Sequence, residues 1–163
     1  MNMPPPLDDA PATGLVLDAY LPYRLSTASN AVSRLIARAY DDRFGLTVPE
    51  WRVMCVLAED GAATQAAVVA RTVMDKVTVS RAAQGLARRR LVRRFEHQAD
   101  GRSHLLDLTP EGRRLQGEIA PLALAYEAAL IAGLAPDEVA MLKRLLGRLQ
   151  AAATGLAGDA GPQ

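Results

Sequence analysis

A single cysteine, Cys55, in 163 residues leaves no intrachain disulfide to form, which excludes the disulfide-stapled small domains of oxidising compartments. A charge excess is also missing: 19 Lys plus Arg against 18 Asp plus Glu give a net +1, so the chain is neither a uniformly basic coat protein nor an acidic disordered one. Aromatic residues make up only 4% of the chain. No apolar run reaches membrane length, since the longest, Ile119 to Ala135, holds Pro121 and Glu127 and falls short of the roughly 20 residues a span needs. The first residues are acidic and proline-bearing where a secretory signal is basic and then apolar. A cytoplasmic location with no membrane partner is expected. Catalytic signatures are absent too: there is no Gly-rich phosphate loop, no nucleophile elbow and no carboxylate pair in a recognisable setting. The expectation is a protein that is not an enzyme and needs no cofactor. What the chain has in abundance is 30 Ala and 23 Leu, about a third of its residues, at a length that suits one domain.

The pattern along the chain predicts a mostly α protein with a small β-hairpin wing. Residues 1–13 and 154–163 carry no apolar period and read as loose tails around one domain at 14–153. Leu21, Leu25, Ala28, Val32, Leu35 and Ala39 recur at steps of three and four, one stripe of a helix over about 19–43 that Gly45 stops. Thr47-Val-Pro-Glu50 reads as a capping box opening a second helix to about Glu59. Thr64 and Asp75 are the next N-caps, for a short helix to about Arg71 and a longer one from Lys76 to about Arg89. Together these make a helix-turn-helix outline. Two strand-like runs, Val92 to Glu96 and Ser103 to Leu108, flank an Asp100-Gly101 dipeptide that favours a hairpin tip. Thr109-Pro110-Glu111 and Leu134-Ala-Pro136-Asp-Glu138 then start two more helices, the last with Val139, Leu142, Leu145, Leu146 and Leu149 on one side. The winged segment thus spans about 47–108, flanked by Leu- and Ala-rich helices at about 19–43 and 110–153 that a small lobe cannot cover. Self-association would bury them.

Charge is concentrated in the same segment. Between Arg71 and His104 stand nine basic residues (Arg71, Lys76, Arg81, Arg88, Arg89, Arg90, Arg93, Arg94, Arg102) and three acids, while the rest of the chain is net negative. Arginine dominates, and its fork matches phosphate and guanine geometry, so the block reads as a surface for double-stranded DNA. At about 100° per residue, Val79, Ala82, Ala83 and Leu86 form the inward side of the helix after Asp75, and Val77, Arg81, Gln84 and Arg88 lie opposite, flanked by Thr78 and Ser80. Arg81 can fork onto guanine, Gln84 can pair with adenine and Val77 can meet a thymine methyl in a major groove. Lys76, Thr64 and Arg94 suit phosphates, as Thr78 and Ser80 also do. Arg102, near the hairpin end and steadied by Asp100, suits a narrow minor groove.

Leu46-Thr-Val-Pro-Glu-Trp-Arg-Val53, Asp75-Lys-Val-Thr-Val-Ser-Arg81, Arg90-Leu-Val-Arg93 and Asp100-Gly-Arg102 before Leu108-Thr-Pro-Glu-Gly112 stand in an order that resembles the MarR family of winged helix-turn-helix repressors. The resemblance spans about residues 19–150. It implies a homodimer whose first and last two helices interleave and whose two winged lobes sit on a pseudo-palindromic operator, with the recognition helix at Lys76 to Arg89 and the wing arginine at Arg102. It also implies a pocket for a phenolic or aromatic carboxylic effector that weakens DNA binding. Arg24, Ser29 and Asn30 on the first helix, with Trp51 and Arg52 on the second, are the polar and aromatic residues expected to line it. One departure is Arg90, where many members have glycine: it must either accept a positive φ or use a different cap.

Competing readings are weaker. Cys55 stands among Val53, Met54, Val56 and Leu57, the setting of a buried, unreactive thiol and not of an oxidant sensor. His97, Asp100 and His104 lack any metal-ligand spacing. A winged module that binds protein, or a helical adaptor, remains the alternative to a DNA-binding regulator.

Overall fold

Local capping chemistry sets most element boundaries. The computed structural model describes residues 14–97 and 100–159. After a turn of 3-10 helix at Leu17–Ala19 come α1 (Leu21–Phe44), α2 (Val48–Asp60), β1 (Ala63–Thr64), α3 (Gln65–Thr72), α4 (Lys76–Arg88), β2 (Val92–His97), β3 (Asp100–Leu108), α5 (Pro110–Ile131) and α6 (Pro136–Asp159). Gly45 ends α1 in the left-handed region at φ 58°, as its position suggested. The Thr47–Glu50 capping box is complete: the Thr47 hydroxyl accepts from the Glu50 backbone N–H at 3.3 Å, and the Glu50 carboxylate accepts from the Thr47 N–H at 2.9 Å. Thr64 caps α3 by accepting from the Ala67 N–H at 3.1 Å.

The molecule is mostly α with a small antiparallel sheet in the order β1-β3-β2. The hairpin pairs Val92 with Leu108 and Phe95 with Leu105, and its register shifts between Glu96 and His97. Asp100 already belongs to β3, opposite His97, so Asp100-Gly101 is not the tip that the dipeptide suggested; the irregular register takes it into the strand. The third strand has no signature in the sequence pattern. Ala63 and Thr64 are only two residues long and pair with Leu106 and Leu105, more than forty positions away.

Compact packing parts the chain between Thr109 and Pro110, within the stretch 14–153 expected as one domain. In the first unit the core is drawn from α2, α3, α4 and the hairpin: Val53, Met54 and Leu57 of α2, Val68 of α3, Val79 and Leu86 of α4, Val92 of β2, and Leu106 and Leu108 of β3 are all almost fully buried. Each contributes about 1.5–3 kcal/mol relative to exposure. Tyr40, at 2% exposure, joins α1 to this core through a tilted ring contact with Trp51, centroids 5.3 Å apart. The second unit is α5 and α6, with a Lys143–Glu127 ion pair of 3.0 Å between them. The last helix runs through Asp159, correcting the tail expected from Thr154: Ala151, Ala152, Ala153, Leu156 and Ala157 favour helix enough to carry it past Gly155. The other expected tail, residues 1–13, lies outside the described residues.

Candidate nucleic-acid interface

The geometry of α4 begins with its cap. Asp75 accepts from the Thr78 hydroxyl at 2.6 Å and from the Thr78 N–H at 2.8 Å, and these bonds hold its carboxyl below the usual carboxylate range. The helix then buries Val79, Ala82, Ala83, Gly85 and Leu86, which includes every residue assigned to its inward side. Gly85 has a specific reason to lack a side chain, because a Cβ there would stand 2.4 Å from Glu50 Oε1. The glycine lets α4 come up against the capped start of α2.

On the opposite side Lys76, Val77, Arg81, Gln84 and Arg88 are exposed, Val77 at 58%, and Thr78 and Ser80 are half-buried. The expected set therefore does share one face. Two members have internal duties. The Thr78 hydroxyl proton is held by Asp75, so Thr78 can offer a nucleic acid only its lone pairs. Gln84 donates to Ser80 Oγ at 3.1 Å, which steadies the amide and leaves its oxygen and second N–H free for a base edge.

The helix ends in a Schellman arrangement. Arg90 takes the left-handed conformation at φ 59°, its N–H bonding to Ala87 O and that of Leu91 to Leu86 O, both at 2.9 Å. This answers the departure at position 90: the arginine accepts the positive φ and keeps the turn. Thr109 then closes the wing by donating its hydroxyl to Arg90 O at 2.8 Å.

The basic block divides into tied and untied cations. Arg71 pairs with Glu59 at 2.9 Å and Arg93 with the buried Asp107 at 2.7 Å, while Arg93 also lies 5.4 Å from the Phe95 ring centroid. Arg89 donates to the carbonyls of Gly45 and Phe44, each at 2.8 Å. Lys76, Arg81, Arg88, Arg90 and Arg94 are exposed and carry no ion pair among the described residues. Sequence alone gives no signal separating Arg89 from its neighbours, because its partners lie 44 and 45 positions away. Thr64 is half-buried with its hydroxyl proton uncommitted to the α3 cap. The side chains of Asp100 and Arg102, expected as minor-groove readers, lie outside the described residues, as does that of His97.

A cleft of about 550 Å³ opens beside the α1–α2 corner, lined by Asn30, Ser33, Arg34, Ala37, Arg38, Asp41, Asp42, Leu46, Thr47, Val48 and Pro49. Of the five residues expected around an effector, only Asn30 lines it. Trp51 turns inward onto Tyr40, Arg24 lies on an earlier turn of α1, Ser29 precedes Asn30 without lining the cleft, and Arg52 is exposed elsewhere on α2. Cys55 is half-buried and its thiol is pushed up to about 11 by burial and, secondarily, by the Glu59 charge. Among the described residues no group of three or more His, Cys, Asp or Glu is placed to hold a metal ion, and no single helix is long and apolar enough to cross a membrane.

The MarR family model matches residues 44–103, the stretch from the α1–α2 corner into the wing. Over 133 residues the chain is 26% identical to the HTH-type transcriptional regulator MgrA of Staphylococcus aureus, covering 82% of this chain and 89% of that one. Among solved structures it is similar to BpsR of Bordetella bronchiseptica, whose DNA binding is regulated by 6-hydroxynicotinic acid: TM-score 0.78 and 28% identity over 83% of this chain and 96% of that one. It is also similar to the PcaV transcriptional regulator of Streptomyces coelicolor, solved with its natural ligand, at TM-score 0.76 and 26% identity over 85% and 97% of the two chains.

Proposed function

We propose that the chain is a DNA-binding transcriptional regulator of the MarR type, a cytoplasmic homodimeric repressor that grips an inverted-repeat operator and lets go when a small aromatic acid binds. The observation that carries this reading is the outward face of α4, where untied Lys76, Arg81 and Arg88 stand beside Val77 and Gln84 on a helix whose other side is fixed in the core. Arg81 forks onto a guanine, Gln84 meets an adenine, Val77 a thymine methyl, and Arg88 and Ser80 adjoin them, with Thr78 as an acceptor only. Lys76, Arg94 and Thr64 take phosphates. The minor groove is assigned to Arg102 and Asp100 of the wing.

Dimerisation is supported by two apolar stripes that the single chain leaves bare: Leu21, Val32 and Leu35 on α1, and Leu142, Leu145 and Leu149 on α6, each at 36% exposure or more. A twofold pair places recognition helices about 34–36 Å apart, so half-sites about ten base pairs apart are expected. For the effector, the cleft at the α1–α2 corner offers Arg34 and Arg38 as cations beside the acids Asp41 and Asp42, Asn30 and Ser33 as polar partners, and Leu46, Val48 and Pro49 as an apolar wall, a set that can pair a planar acid with the arginines and a phenol hydroxyl with the aspartates. Arg24, Ser29, Trp51 and Arg52 are assigned to the part of the site that a second copy completes.

Fluorescence anisotropy on DNA selected by the protein from genomic fragments tests the reading. Affinity should fall steeply between 50 and 200 mM salt, and Arg81→Ala should cost about 1–3 kcal/mol of discrimination at one base pair. A flat salt profile, with Arg81→Ala silent, would favour a protein-binding module instead.

A further inference from the structure

Arg89 is the middle member of three consecutive arginines, and charge distribution alone assigns it to the phosphate-facing surface. Its guanidinium instead meets the protein's own backbone, Nη1 donating to Gly45 O and Nη2 to Phe44 O, each at 2.8 Å. Phe44 is the last residue of the 24-residue helix α1, and Gly45 is its cap. Carbonyls at a helix C-terminus lack intrahelical partners and carry the negative end of the macrodipole. A planar fork that meets two of them at once is fixed in direction as well as in place. Gly85 lies one turn earlier on the same side of α4, seated under the Glu50 carboxylate of the capping box. The reading helix is therefore attached to the 44–50 corner at two points, one a close approach and the other a charged fork.

We propose that Arg89 is a positioning residue for operator recognition, a latch that sets the bearing of Arg81, Gln84 and Arg88 relative to α1. Because α1 carries one of the bare apolar stripes, the latch sets how far apart the two reading helices of a dimer stand, and hence which half-site spacing the dimer accepts. The inference rests on the DNA-binding reading above. It adds that one arginine of the basic block acts through geometry and touches no phosphate. Leu46, Thr47, Val48 and Pro49, which directly follow the Phe44 and Gly45 carbonyls that Arg89 holds, form one wall of the cleft.

The test uses the full-length protein and a duplex selected by the wild type from a random-sequence pool, together with duplexes in which one base pair is inserted or removed between the half-sites. Arg89→Met should weaken binding to the selected duplex about tenfold, leave the slope of log K against log salt unchanged, and erase most of the preference for the original spacing. Arg89→Lys, whose ammonium meets one carbonyl, should restore part of that preference. Arg94→Met, removing an untied cation assigned to phosphate, should lower the slope by about 0.9 for each phosphate that Arg94 neutralises and keep the spacing preference. The proposal is overturned if Arg89→Met lowers the slope as Arg94→Met does, or if affinity and spacing preference both stay at wild-type values. Should Arg89→Met fail to fold, as judged by circular dichroism, Arg89→Lys carries the same comparison. A wild type that binds no duplex in a salt-dependent way sinks the DNA-binding reading itself, an outcome distinct from either.

Discussion

Replacing Val73 by glycine should make the protein more stable. Val73 ends α3 at the turn before α4 with φ 56° and ψ 22°, its N–H bonded to Val69 O at 2.9 Å. That left-handed conformation presses a Cβ against the following carbonyl, costs about 1–2 kcal/mol, and is rarest for β-branched residues. The side chain is 71% exposed, so its removal forfeits little apolar burial. Glycine relieves the clash but adds about 0.5–1 kcal/mol of chain entropy to the unfolded state, leaving a net gain of about 0.5–1 kcal/mol. Val73→Ala keeps the Cβ and should recover only a fraction of that gain. Urea unfolding at one fixed protein concentration, so that association enters equally, should show a higher midpoint for Val73→Gly with an unchanged m-value. If Val73→Gly is no more stable than Val73→Ala, the strain argument is wrong.

Arg90→Gly should stabilise for the same reason, since Arg90 sits at φ 59° without an ion pair among the described residues; thermal unfolding checks it, with Arg90→Ala as the control that keeps the Cβ. Tyr40→Ala should cost about 3–5 kcal/mol and shift the emission of Trp51, the only tryptophan, to longer wavelength once its ring partner is gone, readable in one fluorescence titration. The Cys55 thiol, pushed up to about 11, stays protonated at neutral pH, so peroxide should not release DNA; mass spectrometry of treated native protein should find Cys55 unmodified. Asp75 has a folded-state pKa lowered from 3.8, so its contribution is full above that value and is lost as pH falls through the lower, folded one; acid unfolding of Asp75→Asn should lose that part of the pH dependence.

The readable parts of this fold are those whose cause is local. Gly45, the Thr47–Glu50 box, Thr64 and Asp75 each act within a few residues, and the inward side of α4 follows from a 3.6-residue period, so both were legible. Where the partner is distant in sequence, legibility ends. The strand Ala63–Thr64 exists only through Leu105 and Leu106, and Arg89 is distinguished from Arg88 only by carbonyls at 44 and 45. Trp51 is the instructive case on the ligand side: composition offers it as a wall for an aromatic guest, but the fold presents its ring to Tyr40. The helical course of residues 154–159 was obscured by Gly155, whose local preference the surrounding alanines outweigh.

The placement of Gly85 has an evolutionary corollary. The side chains that anchor α4 and those that face outward occupy opposite halves of its circumference, so exchanges at 77, 81, 84 and 88 leave its packed scaffold unchanged. Position 85 has less latitude, because a Cβ there would stand 2.4 Å from Glu50 Oε1 and the Glu50 carboxylate would have to swing aside to admit it.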